Sequence, residues 1–351
     1  MKRTLIACLR SLTIAALAIA SARGEEPADR RPAASPVNTR KLRGKSYQGV
    51  LPVADEPLLA LAAELRQDVS HLAEEIGERN IGRRPKELAM AADWIEAELA
   101  ETGHQVRRQQ YEVSGVACCN LEAGILGAAI PEEIVVIGAH YDSVTGTPGA
   151  NDNGSGVAAL LALARRSAHR KADRTLRFVA FANEEPPYFQ TGQMGSWVYA
   201  KECRKRGEKV TAMLSLETIG YFDDRPGSQK YPPLFNLVYP STGNFIGFVG
   251  NLRSARLVEE ALAAFRKHEQ FPSEGGAFPE AVPGVGFSDQ WSFWQEGYPA
   301  LMVTDTAMFR YPHYHEPEDT VDKIDFLRLA RVVRGLDGVV VALASQSPKP
   351  D

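Results

Sequence analysis

Two histidines and several carboxylates stand in short polar segments, each a little beyond a stretch that reads as a β-strand. His140-Tyr141-Asp142 follows the β-branched run at 133–138, and Asp152 sits in Gly149-Ala150-Asn151-Asp152-Asn153-Gly154-Ser155-Gly156 at the mouth of an apolar helix. Asn183-Glu184-Glu185 follows residues 175–182, and Glu217 follows residues 210–216. Tyr314-His315-Glu316-Pro317-Glu318-Asp319-Thr320 comes after residues 300–304 and a loop. Divalent zinc accepts imidazole and carboxylate together, and two such ions about 3.5–4 Å apart need one carboxylate to bridge them. Two histidines and three carboxylates are a minimal ligand set for that pair. A further carboxylate outside the set would carry the proton of a hydrolysis. The chemistry indicated is metal-assisted hydrolysis.

The elements that must position these residues are legible in the apolar pattern. Leu65, Val69, Leu72 and Ile76, then Leu88, Ala91, Trp94, Ile95 and Leu99, recur at helical spacing, which predicts two helices separated by residues 79–86. Strands are expected at 105–114, 120–128, 133–138, 175–182, 210–216, 236–239, 246–249 and 300–304. Helices are expected at 156–167, 195–206, 255–268 and 289–295, with a long closing helix at 321–344. Such alternation predicts an α/β fold, a three-layer α/β/α sandwich around a mostly parallel mixed β-sheet. In open sheets of this kind, chemistry gathers at the carboxyl ends of the strands, which is where the polar segments fall.

His140-Tyr141-Asp142, residues 149–156, Asn183-Glu184-Glu185 and His315 with Asp319-Thr320 together resemble the zinc-dependent aminopeptidases of family M28, typified by the Aeromonas and Streptomyces enzymes. The resemblance runs from about residue 81 to residue 343. It implies two Zn²⁺ per chain, with His140, Asp152, Glu185, Glu217 and His315 as metal ligands and Asp152 as the bridge. It further implies Glu184 as general base, Asp142 as the partner that orients His140, and a cis peptide after Asp152. His313 lies near His315, but the spacing to Asp319-Thr320 favours His315. Asp289 reads as a supporting residue. The implied activity is removal of N-terminal residues from a peptide with a free N-terminus. A zinc carboxypeptidase or dipeptidase, a single-zinc glutaminyl cyclase and a metal-free binding domain are the alternatives.

Simpler readings exist for some of these residues. Asp152 before an apolar run could cap a helix, since Asp, Asn and Ser do so routinely. Glu217 could be an ordinary acid at a strand end. His71, His104, His169 and His268 read as surface residues, Cys118-Cys119 as strand packing, and Trp291, Phe293 and Trp294 as core. Tyr221, Tyr311 and Tyr314 each could donate to an oxyanion, and spacing does not choose among them. The segment 223–240 follows Glu217 and could rim the site and set side-chain preference.

Composition bounds the rest. The chain has 351 residues, 44% hydrophobic and 24% charged, which excludes a disordered chain and a disulfide-stapled mini-protein. Residues 1–22 carry a basic start, an apolar run and Ala20-Ser21-Ala22, the pattern of a cleaved export signal. The expected organisation is a signal at 1–22, a flexible leader at 23–45 and a peptidase domain at 46–351. The expected location is periplasmic or secreted, without a stable membrane anchor. Losing the signal removes three basic residues and no acid, so the net charge goes from −4 to −7. With no polybasic run, nucleic acid is a poor candidate partner. The remaining cysteines, Cys118, Cys119 and Cys203, are odd in number and make no disulfide framework.

Overall fold

The structure is a computed structural model that describes residues 44–345. The expected signal and all of the leader except residues 44 and 45 lie outside the described residues. Eight strands form one mixed sheet: β1 (Val106–Val113), β2 (Val116–Ile125), β3 (Ile130–His140), β4 (Arg174–Phe181), β5 (Lys209–Glu217), β6 (Ile246–Asn251), β7 (Ser273–Phe278) and β8 (Ala300–Thr304). Their order across the sheet is β1-β2-β4-β3-β5-β8-β6-β7. The pairs β3–β4, β3–β5, β5–β8 and β6–β7 are parallel, and the pairs β1–β2, β2–β4 and β6–β8 are antiparallel. The mostly parallel mixed sheet is as expected.

The central strands are apolar on both faces because both faces are covered. Along β3, Val135, Ile137 and Ala139 enter one core, while Ile134 and Val136 enter the other. The larger core packs against α1 (Glu56–Ser70), α2 (Pro85–Glu101), α3 (Gly156–Ser167), α5 (Ala255–His268) and α7 (Phe326–Ala344). The smaller packs against α4 (Gly195–Lys205) and α6 (Gln290–Gln295), and it includes Phe293 and Trp294 as expected. Strand periodicity of two thus builds the three layers. Among the described residues, no helix is long and apolar enough to cross a membrane.

Three local expectations need correction. Residues 236–239 are not a strand: Leu234 turns left-handed at φ 76°, Phe235–Leu237 forms a 3₁₀ turn, and Phe235 stacks on Tyr239 four positions on. Strand β7 was not expected, because Ser-Glu-Gly-Gly-Ala-Phe lacks the β-branched alternation that announces a strand. The closing helix starts later than expected, at Phe326. Val321–Lys323 is a separate 3₁₀ turn, and Asp325 then caps α7 by accepting the N–H of Arg328 at 3.0 Å.

Candidate metal centre and active site

The sheet order places the carboxyl ends of β4, β3, β5 and β8 side by side. His140 ends β3 and pairs with Phe181, so Glu184 and Glu185 lie just beyond the neighbouring strand end. Glu217 ends β5 and pairs with Thr304 at the end of β8. Asp152 arrives on the turn Ala150–Ser155 ahead of α3, and His315 on the loop after β8.

Glycines make the Asp152 turn possible. Gly149 has φ 61°, and a Cβ there would lie 2.5 Å from the Asp152 carbonyl oxygen. A Cβ on Gly156 would lie 2.5 Å from the Leu216 carbonyl oxygen, so only glycine lets the helix start pack on the end of β5. The Asp152–Asn153 peptide is cis, as the family resemblance implied. Helix capping falls to Asn153: its Oδ1 accepts the N–H of Gly156 at 3.2 Å and of Thr218 at 3.1 Å, while its Nδ2 donates to the Leu216 carbonyl at 2.8 Å. Asp152 has no capping role. Its own N–H and that of Asn151 donate to the two carboxylate oxygens of Asp319, at 3.0 and 2.8 Å. Three residues here adopt positive φ without being glycine: Asn183 (60°), Thr218 (42°) and His315 (60°). Such backbone costs about 1–3 kcal/mol at a β-branched residue like Thr218 and persists where surroundings fix it.

The donor atoms converge. Asp152 Oδ1 lies 3.5 Å from His140 Nε2, and Asp152 Oδ2 lies 3.2 Å from His315 Nε2. Glu217 Oε2 is 3.2 Å from His140 Nε2, and Glu185 Oε2 is 3.2 Å from His315 Nε2. Three groups result, His140 with Asp152 and Glu217, Asp152 with Glu185 and His315, and His140 with Glu184 and Glu185; within each, the donor atoms lie within 4.8 Å of one another. His140 Nε2, Asp152 Oδ2, Glu185 Oε1 and His315 Nε2 are buried without a hydrogen-bond partner. Buried polar atoms are nearly always satisfied, so orphaned atoms of two imidazoles and two carboxylates facing one another fit a divalent cation such as zinc. Glu184 Oε2 stands 4.0 Å from His140 Nε2, at the border of this set.

The electrostatics suit a cation held among these groups. Burial pushes the Glu184 carboxyl well above its ordinary range, and Glu217, Glu185 and Asp289 add to the shift against the pull of His140. Burial likewise raises Glu185 to about 7, helped by Asp152. Burial works against a charge on His315, but Glu185 and Asp152 outweigh it and raise the imidazole to about 11. His140 shifts in the same direction, with Glu217, Asp142 and Asp152 overcoming burial.

The supporting residues divide clearly. Asp142 meets His140 Nδ1 through its carbonyl oxygen at 3.2 Å and its carboxylate at 3.5 Å. Ser288 donates its hydroxyl to Glu217 Oε2 at 2.7 Å. Asp289 is wholly buried near the cluster, and burial raises it to about 7. Of the three tyrosines, Tyr311 is committed to Asp319 at 2.7 Å. Tyr314 stacks on His315 at 3.9 Å between ring centres, faces the carboxylates of Asp152, Glu185, Glu217 and Glu184, and lines the adjoining cleft.

Sequence reasoning missed Arg79. It is fully buried and donates to the carbonyls of Leu72, Gly77, Tyr141, Pro148 and Gly149, at 2.6–3.3 Å. One guanidinium thereby ties the end of the first helical segment to the loops that carry His140 and Asp152. An arginine in a polar linker carries no spacing signal that could have found it.

The sequence model of peptidase family M28 matches residues 120–337. The chain belongs to this family. Its assignment as a zinc-dependent hydrolase follows the family, as the sequence reading expected. The M28 chain is 37% identical over 297 residues to the uncharacterized protein YfbL of Escherichia coli K12, covering 82% of this chain and 89% of YfbL. A probable leucine aminopeptidase of Arthroderma otae is 28% identical over 226 residues, 61% of this chain and 55% of that protein, so the M28 chain spans about half of the fungal relative. Among solved structures, BSAP, a zinc aminopeptidase from Bacillus subtilis, superposes with a TM-score of 0.66 at 17% identity, covering 83% of this chain and 96% of BSAP. A glutaminyl cyclase from Fimbriiglobus ruber gives 0.60 at 22% identity, covering 84% and 98%. At these identities, the two structures speak for a shared fold.

Proposed function

We propose that this M28 peptidase is an exported, co-catalytic di-zinc aminopeptidase that releases N-terminal residues from peptides. The observation that carries the reading is Asp152, whose two carboxylate oxygens face two different histidines, each within its own ligand group. A single-zinc cyclase has no need of a second complete group, which favours the peptidase. His140, Asp152 and Glu217 would hold one zinc, and Asp152, Glu185 and His315 the other. When bound, such a pair polarises the scissile carbonyl and makes a nucleophile of water at neutral pH.

The chain supplies the rest. Glu184 takes the proton of the attacking water on its carboxylate and delivers it to the leaving amine, a role suited to a carboxyl whose affinity for protons is raised by burial. Asp142 holds the His140 ring on one side and the backbone of Glu184 and Glu185 on the other. Tyr314 offers its hydroxyl to the developing oxyanion. The site carboxylates receive the substrate's α-ammonium, which restricts cleavage to the first peptide bond. Export rests on the pattern at residues 1–22.

The test is zinc content of the purified protein by mass spectrometry, beside hydrolysis of a panel of aminoacyl amides. About two zincs per chain with release of free amino acids supports the proposal. One zinc with cyclisation of N-terminal glutamine would give the cyclase instead, and neither metal nor turnover would leave a binding domain.

A further inference from the structure

An apolar cleft, open to solvent, begins at Glu217 and Tyr314. Its floor is one row of the sheet. Glu217 pairs with Thr304, Thr304 with Gly247, and Gly247 with Glu274 on the edge strand β7. Paired residues share a face of the sheet, and three strand spacings put the backbones of Glu217 and Glu274 roughly 14 Å apart. Gly247 leaves the middle of the row without a side chain, so the cleft continues from the metal site towards Glu274.

The far end is aromatic. Tyr231, Phe235, Tyr239 and Phe278 form one cluster, with ring centres 4.9–6.3 Å apart. The two tyrosine hydroxyls are spent on the carbonyls of Pro240 and Gly275. Gln229, also in the lining, is engaged with Arg310 and Thr306. Glu274 supplies the negative charge at this end, half-buried, and Ser46 donates a hydrogen bond to it. Among the described residues, no lysine or arginine reaches its carboxylate within ion-pair distance. Arg266 influences it through space but directs its guanidinium to Ser273 and Gly44.

A long apolar trough that ends in aromatic rings and one carboxylate matches a side chain with a methylene stem and a cationic head. The stem lies on apolar surface, the head meets the acid, and the ring faces attract the cation. A leucine side chain would leave the far end unreached. We propose that this cleft receives the side chain of the substrate's N-terminal residue, and that Glu274 selects arginine or lysine there. The inference rests on the aminopeptidase reading above and names its substrate class.

The test compares kcat/KM for arginine, lysine, leucine and phenylalanine p-nitroanilides across the wild type, Glu274→Gln and Glu274→Asp, with thermal melting to confirm folding. Calorimetry with free L-arginine and L-leucine reads binding without turnover. The wild type is expected to favour arginine and lysine. Glu274→Gln is expected to lower the arginine-to-leucine ratio by about ten- to hundredfold, the range for a hydrogen bond between charged groups, while Glu274→Asp keeps most of the preference. A folded Glu274→Gln with an unchanged ratio, or a wild type that prefers leucine or phenylalanine, overturns the Glu274 assignment and leaves the aminopeptidase standing. A zinc-loaded protein that cleaves none of the four and binds neither amino acid overturns both.

Discussion

Asp142 Oδ1 accepts the backbone N–H of Glu184 at 3.1 Å. Its other carboxylate oxygen accepts the N–H of Glu185 at 3.2 Å, and its carbonyl oxygen lies 3.2 Å from His140 Nδ1. One residue thus fixes both the imidazole at the end of β3, through its carbonyl, and the acid pair beyond β4, through its carboxylate. Neighbouring acids can take separate tasks because their shared backbone anchor aims Glu185 at His315 and leaves Glu184 beside His140.

Glu184→Gln keeps size and shape but cannot carry the proton. It should retain its zinc and lose about 10²–10⁴ in kcat, the usual share of general acid–base catalysis. Metal analysis and steady-state kinetics on one preparation check this, and undiminished turnover would remove Glu184 as the base.

His140→Ala and His315→Ala each strip one of the two proposed zinc sites. Each should lower zinc content by about one ion per chain, and more where loss of one ion weakens the other through Asp152. A variant of either kind that still holds two zincs contradicts the assignment.

Chelation should make stability depend on pH in a defined direction. Glu185 and Asp289 are raised to about 7, and Asp319 to about 6, by burial. His315 is raised to about 11, with Glu185 and Asp152 outweighing burial. From about pH 4 upward the folded state therefore binds more protons than the unfolded state, and stability falls as pH rises. The carboxyl contribution is lost through about pH 6–7, and that of His315 fades from about pH 6.5 up to about 11. The melting temperature of chelated protein should be higher at about pH 5.5 than at about pH 8, and zinc should raise it most at the higher value. A chelated form that gains stability with rising pH would contradict the charge balance described.

Arg79→Lys keeps the charge but loses the planar fork that reaches five carbonyls. Some of those buried acceptors are left without a donor, at about 1–3 kcal/mol each. Denaturant unfolding should show a loss of about 2–4 kcal/mol, together with weaker zinc retention because the loops bearing His140 and Asp152 loosen. Wild-type stability in this variant would show that the carbonyls find other partners.

Tyr314→Phe removes one hydroxyl and preserves the ring stacked on His315. If the hydroxyl serves the oxyanion, kcat should fall about ten- to hundredfold with little change in KM. A change confined to KM would instead mark Tyr314 as a wall of the cleft.

The sequence by itself determined most of the scaffold. The periodicity of residues 58–99 and 255–268 and the β-branched runs at 133–138 and 175–182 are short-range signals, and their elements formed within a few residues of the expected places. The residue types of the candidate site were equally legible, since imidazoles and acids just past apolar strands stand out locally. Local spacing failed where the deciding partner is remote. Asp152 is held by Asp319, 167 positions away, and that contact leaves capping to Asn153. Tyr314, Arg79 and Glu274 acquire their places from loop closure and from the strand order β5-β8-β6-β7, which follows from how the layers cover one another rather than from any window of residues. Strand β7 shows the same limit, because two glycines that erase its sequence signal are what allow Phe248, Leu262 and Tyr239 to pack so closely against it.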